Sequence, residues 1–465
     1  VSGKSCIVAR IPTSAAVSRI IGFRTVKTLE RQIGAFDGAM LVVGSMVGSG
    51  IFIVSAESSR TLGTAGRLLL VWAGAGVLTL LAAACTAELG VLLPEAGGPY
   101  VFFREAYGEL AGFLYGWSLV LVVQTGTIAA VAVAFSKFLG VLVPAVTGAR
   151  ATIVAVAVVA VLTATNACGL KVGTRLMNVL TLVKVAALLS LTVAGLALFA
   201  SRPAVAQAPL PAPPGGFALA LAFAAAAVGP LFSQSAWTNV TFAGAEVKDP
   251  AKTFPRALLL GCLLVSSLYV LANVSYLKTL GFDGVAHAPE GRVGTAAAAA
   301  ILPGLGGTLM AAAILVSTFG CDNGLILSGA RVVYALSKDG LFFRFASRLN
   351  GAGVPGLALL AQGVWTSLLV LSGTYSQLLK YVVSAEIALS VFLVLAVPVL
   401  RAKRPGARGW KTPGYPFTPA LYALLATALT VLLTIAHPKE TWPGYLIVLS
   451  GIPVYALWAR ARQAK

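Results

Sequence analysis

The sequence predicts an all-α integral membrane protein with twelve transmembrane helices, on three observations. Apolar runs long enough to cross a bilayer, which takes ~20 residues, recur along the whole chain. Hydrophobic residues make up 58% of it and charged residues 11%, less than half of the roughly 25% typical of soluble proteins. The Lys and Arg residues behind the net charge of +19 crowd into alternate gaps between the runs. The runs are too long and too evenly apolar for the short alternating strands of a membrane barrel. Positive charge distributed in this way concerns orientation in lipid, so lipid is an expected partner and nucleic acid is not.

Residues 1–33 form a tail with Lys4, Arg10, Arg19, Arg24 and Lys27 ahead of its first acid, Glu30. It has no apolar stretch before a small-residue cleavage site, so it does not read as a secretory signal. Its Arg- and Ser-rich composition fits an organellar transit peptide or a positive cytoplasmic tail, and the tail is the reading adopted. The first apolar segment covers about 34–59. Others follow near 66–92, 110–143, 151–168, 174–200, 217–243, 257–277, 296–334, 355–373, 378–400, 417–436 and 444–458. Segments one to ten occupy residues 34–400, and residues 401–465 hold segments eleven and twelve with a short C-terminal tail. Pro/Gly-rich stretches at 209–216 and 413–419 read as turns, and no soluble domain is present.

Twelve spans put both termini on one side. The loops of the opposite side hold only Arg60, Arg67, Arg150, Arg202, Lys278, Arg292 and Lys439, while the termini and the loops of their own side hold most of the remaining Lys and Arg. By the positive-inside rule both termini are cytoplasmic.

Segment one has Gly44-Ser45-Met46-Val47-Gly48-Ser49-Gly50-Ile51-Phe52 at its centre. Three glycines and two serines are poor helix formers, glycine costing about 1 kcal/mol per site relative to alanine. The stretch reads as a helix broken at mid-membrane depth. Small residues also serve tight helix packing, and spacing alone leaves both readings open. A break frees N–H and C=O groups that lipid cannot satisfy. Segment six carries a second candidate, Gly229-Pro230-Leu231-Phe232-Ser233-Gln234-Ser235-Ala236-Trp237-Thr238-Asn239, in which proline lacks an N–H. The two interruptions match in position if segments 1–5 and 6–10 are repeats, which points to a solute site between inverted repeats. The outer half of segment one begins at its break with free N–H groups and a partial positive charge, suited to a carboxylate. The first half of segment six ends in free carbonyls, suited to an ammonium. A small zwitterion, most simply an amino acid, fits both.

Of the ionisable residues inside segments, three stand out: Lys184 in the fifth, Asp322 in the eighth and Glu386 in the tenth. A charge at the bilayer centre costs about 2.5–3.5 kcal/mol on insertion scales. Lys184 either serves function or snorkels to the cytoplasmic face. The two acids either take part in proton coupling or bond to neighbouring helices. Glu88 and Glu246, near cytoplasmic ends, read as members of structural ion pairs. The five cysteines are scattered, and His287 and His437 fall in or beside loops, so neither metal nor cofactor is expected.

Several stretches resemble one known family. They are Gly44–Phe52, Ala87-Glu88-Leu89-Gly90, Pro94-Glu95-Ala96-Gly97-Gly98-Pro99-Tyr100, Gly108–Trp117, Glu246-Val247-Lys248-Asp249-Pro250, Gly329-Ala330-Arg331 with Lys338-Asp339-Gly340, and Pro413-Gly414-Tyr415-Pro416. In this order, over about Ile33 to Arg462, they are similar to the amino acid–polyamine–organocation superfamily, closest to the L-type amino acid transporters and their bacterial relatives. The resemblance implies a LeuT-like five-plus-five inverted repeat, with discontinuous helices 1 and 6 and two further helices. It places the substrate carboxylate at N–H groups around Ser49 and Gly50 with the Ser49 hydroxyl, and the α-amino group at carbonyls of Met46, Phe232 and Ser235. Ser45, Gly48 and Ser233 complete the substrate-binding set, and Phe232 is the closing gate. Lys184 stands where sodium-coupled relatives hold a cation, which implies sodium-independent transport. Lys184, Asp322 and Glu386 form the coupling set.

The sequence departs from the family at three places. Ser235-Ala236 replaces two glycines, Asp322 replaces an uncharged residue, and Glu386 replaces an aromatic common in bacterial relatives. The family substrate is a neutral amino acid, whereas a pocket-facing acid favours a cationic one. The loop at 143–150 has no cysteine, so the disulfide-linked heavy chain of animal L-type transporters is not an expected partner. The resulting expectation is a sodium-independent, alternating-access carrier of L-amino acids, neutral ones in the first place, with proton symport and exchange both open. Its rivals are a polyamine or amine transporter and a non-transporting amino acid sensor on the same fold. A membrane-embedded enzyme would need a catalytic constellation that two loop-side histidines do not provide.

Overall fold

The computed structural model describes residues 28–198, 215–373, 375–406 and 409–463. The first 27 residues, which hold most of the basic tail, lie outside the described residues, as does most of the 209–216 turn.

The Gly- and Ser-rich centre of the first apolar segment splits it into α1 (Ala35–Met46) and α2 (Gly50–Leu62), inclined at 44°. Next come α3 (Ala65–Leu92), the short α4 (Pro99–Tyr107), α5 (Glu109–Leu142, with a π-helical turn at Leu119–Val123), α6 (Ala149–Ala167) and α7 (Leu170–Leu198). After residue 214 come α8 (Gly216–Ser233), the single turn α9 (Asn239–Phe242), α10 (Pro250–Ala286), α11 (Val293–Ile301) and α12 (Gly306–Lys338). The chain continues with α13 (Gly356–Ser372), α14 (Tyr375–Lys403), α15 (Phe417–Ala436), α16 (Pro438–Leu449) and α17 (Gly451–Gln463).

Among the described residues ten helical stretches are long and apolar enough to cross a bilayer, and the bent α1–α2 pair makes eleven. The ninth expected segment is helical but only 17 residues long, as α13. The eighth corrects the sequence reading. The run expected over 296–334 is two helices, because Pro303 and Gly304, the latter at φ 83°, stop α11 at Ile301. The linker between segments two and three is also more ordered than a plain loop, since Pro99 opens α4 at its first turn, where its missing N–H has no partner to lose.

α10 packs along α3, α1 and α7, and α12 packs along α5, α7 and α1. Together they surround the α1–α2 break. The outward faces carry large apolar side chains, with Leu70, Ile153, Leu260, Leu371 and Leu424 all more than half exposed. Such faces invite aggregation in water, and lipid solvates them. The chain is a multi-pass membrane protein.

Ion pairs tie the helix ends. Glu88 of α3 accepts from Arg401 of α14 at 2.7 and 2.8 Å, and from the Thr412 N–H and hydroxyl at 2.7 and 2.6 Å. Glu246 accepts from Arg331 of α12 at 2.7 and 2.9 Å, with both side chains buried. The structural roles expected for Glu88 and Glu246 hold.

Candidate functional site

The helix break at residues 47–49 exposes a row of carbonyls, and side chains from three other helices take them. The Lys184 ammonium of α7 donates to Gly44 O at 2.5 Å, Val47 O at 2.8 Å and Ser317 O at 3.4 Å. The Ser317 hydroxyl of α12 donates to Val47 O and Gly48 O, both at 3.1 Å. The Cys321 thiol donates to Ser45 O at 3.0 Å, and the Tyr269 hydroxyl of α10 to Met46 O at 3.1 Å. Buried backbone polar groups need partners, and this set answers the demand that the glycines create. Lys184 is 1% exposed, so it does not snorkel. Met46 O also accepts from the Gly48 N–H at 3.0 Å, so protein donors fill both of its acceptor positions. Ser45 is buried and its hydroxyl has no partner.

On the far side of the break, α2 starts at Gly50 with Ser49 as its N-cap, and the Ser49 side chain makes no capping bond. The first N–H groups of any helix lack intrahelical acceptors, and here Ser49 and Gly50 are only half-buried. The end of α8 packs directly against this point. A Cβ on Gly50 would lie 2.1 Å from Ser233 Oγ, and one on Gly229 would lie 2.3 Å from Val54 Cγ1. The two interruptions read from the sequence are therefore adjacent in space.

Within segment six the interruption falls later than Pro230. That proline lies inside α8, which runs on to Ser233. The N–H it lacks would have bonded Ala226 O, and the Ser58 hydroxyl of α2 donates to that carbonyl instead, at 3.2 Å. The chain leaves helical geometry at 234–238, with Ala236 at φ 67°. Gln234 is fully buried and accepts from the Ser266 hydroxyl at 2.7 Å. Ser233 donates within its own helix to Gly229 O at 2.8 Å.

Phe232, Ser235 and Glu386 line one pocket with about 80 Å³ of free space, together with Tyr115, Trp237 and Tyr422. The α1–α2 break does not reach its lining. Asp322 is fully buried on α12, and neither carboxylate oxygen has a hydrogen-bond partner. The Lys184 charge acts on it through space without an ion-pair contact. The structure thus gathers Lys184 with Gly44–Gly48, Gly50 with Ser233, and Phe232 with Ser235 and Glu386.

Residues 33–457 match the protein family described as amino acid permease. The chain belongs to this family. The mouse Asc-type amino acid transporter 1 is 29% identical to this permease over 445 residues, covering 92% of this chain and 81% of the relative. The serine/threonine exchanger SteT of Bacillus subtilis is 28% identical over 440 residues, covering 92% and 96%. The human large neutral amino acids transporter small subunit 2 is 28% identical over 452 residues, covering 92% and 80%. The family is one of transporters, so the permease is not an enzyme. Sequence reading missed Tyr269, Ser317 and Cys321, the donors that make the break of this permease tenable. The one available signal was that each places a polar atom inside an apolar segment. It also missed Tyr115 and Tyr422, which an apolar helix pattern does not distinguish from core aromatics.

Proposed function

We propose that this permease carries L-amino acids across the plasma or inner membrane by alternating access, without sodium, as an exchanger or a proton symporter. The observation that carries the reading is the contact of Gly50 with Ser233, which sets the free N–H groups opening α2 beside the carbonyl end of α8. A carboxylate and an ammonium joined by one carbon suit that pair of helix ends. The substrate set is Ser45, Met46, Gly48, Ser49, Gly50, Phe232, Ser233 and Ser235. Because Met46 O is already engaged, the α-amino group is assigned to the α8 side. Residues 34–400 form two inverted five-helix repeats, with α13 as a short ninth span, residues 401–465 add spans eleven and twelve, and both termini are cytoplasmic. Lys184, bound to carbonyls of α1 and α12, fills with its own ammonium a place suited to a cation, which supports sodium independence. Asp322 and Glu386 join it as coupling residues.

The test is uptake of labelled amino acids into proteoliposomes, sodium-free, with the lumen empty, loaded with unlabelled amino acid, or held at a different pH. Uptake only into loaded vesicles identifies an exchanger. Uptake driven by an acidic exterior identifies a proton symporter, and D322N then removes the pH dependence. Failure of every amino acid in all three conditions overturns the proposal.

A further inference from the structure

The pocket beside the α8 break holds one ionisable side chain that no protein cation pairs. Glu386 is the only charged residue on its lining, and no ion pair or hydrogen bond to its carboxylate occurs among the described residues. The contrast with other acids of this chain is sharp: Glu88 and Glu246 each hold an arginine at 2.7 Å. Ionisable groups inside a membrane pair with one another or mark the path of a charged solute. Phe232, Trp237, Tyr115 and Tyr422 surround the same space. Ring faces attract cations through their quadrupoles, so the carboxylate and the aromatics select in the same direction. Two of the lining hydroxyls are already committed, Tyr422 donating to Ser390 Oγ at 2.6 Å and Ser390 to Ile387 O at 2.6 Å.

We propose that this pocket receives the cationic end of the substrate, a primary ammonium or a guanidinium on a flexible chain, with Glu386 as its counter-charge. The permease then prefers basic amino acids to neutral ones, against the neutral substrate that the family resemblance implies. The inference rests on the amino acid reading above for the substrate's α-groups. Phe232 at the end of α8 and Ser235 in the break that follows are also part of the pocket wall, so a solute held at the break can direct its side chain inward. The free space of about 80 Å³ takes several water-sized groups, at roughly 10–15 Å³ each, which suits the end of a side chain and not a whole solute. Free amines carry the same terminal group and are the second source of this chemistry.

The experiment compares uptake of labelled lysine and serine into lysine-loaded proteoliposomes, with ornithine, leucine and putrescine as competitors, for the wild type, E386Q and E386D. The wild type is expected to favour lysine. E386Q should cut the lysine-to-serine ratio by about 30-fold or more, the low end for stranding one member of a buried charge pair. E386D, which keeps the charge, should retain the preference. A wild type that carries serine or leucine, with no competition from lysine or ornithine, overturns the inference and leaves amino acid transport standing. Putrescine uptake without uptake of any α-amino acid keeps the cation pocket and removes the amino acid reading. Should E386Q fail to fold, the wild-type competition profile decides alone.

Discussion

Lys184 donates to three carbonyls, two of them in the break of the first helix. Replacing it with methionine keeps the stem and removes the donors. Ser317 still serves Val47 O, but Gly44 O is stranded, and an unsatisfied buried acceptor costs about 1–3 kcal/mol. K184M should therefore lower the unfolding temperature in detergent and reduce uptake per mole of reconstituted protein. An unchanged unfolding temperature would show that the break stands without the ammonium. Gly50 is required for a different reason, the 2.1 Å that a Cβ would leave to Ser233 Oγ. G50A should destabilise by about 1–3 kcal/mol through overpacking. S233G, which removes the clashing side chain, should restore most of that loss in a double-mutant cycle read by thermal unfolding. Additive effects would mean that the two helices do not meet there.

At the scale of elements, Pro230 is tolerated because a neighbouring helix compensates for it. Ser58 of α2 supplies the donor that the proline removes from Ala226 O. S58A should cost about 1–3 kcal/mol in the natural background and much less beside P230A, which returns the backbone N–H. Equal costs in both backgrounds would refute the compensation. The buried Glu246–Arg331 pair joins the segment after α9 to α12. Removing one partner of such a pair costs about 3–5 kcal/mol, whereas replacing both with apolar groups is often near neutral. R331M should thus be far more damaging to thermal stability than E246M/R331M, and the reverse order would deny the pair its role. The positions of both breaks were legible because glycine, proline and serine act locally on helix formation. Within the expected stretch 229–239 the helix nevertheless runs on through Pro230 to Ser233, because the carbonyl that the proline strands is served by Ser58, which is distant in sequence.

For the whole molecule, orientation is the property most open to direct test. Lys411 and Lys439 are both exposed and fall on opposite sides if the terminal pair of spans runs as proposed. In a background freed of native cysteines, K439C should react with an impermeant thiol reagent added outside intact cells, and K411C only after the cytoplasmic face is opened. Labelling of both from one side would break the twelve-span topology. The same topology explains why charge counted along the loops was informative, since lipid forbids Lys and Arg to drift into the spans without a partner.

The sequence by itself determined the fold class, the family, the two interrupted helices and the identity of the charges inside the membrane. Each of these follows from local composition or from ordered motifs, which a linear reading can see. Only the tertiary structure decided what those charges meet. Lys184 finds Gly44 from 140 positions away, Arg401 reaches Glu88 across 313, Asp322 is left without a hydrogen-bond partner, and Glu386 faces a ring of aromatics drawn from several helices. The physical reason is that a charge in a low-dielectric interior is defined by partners within a few ångströms, and helix packing, not sequence order, sets which groups come that close.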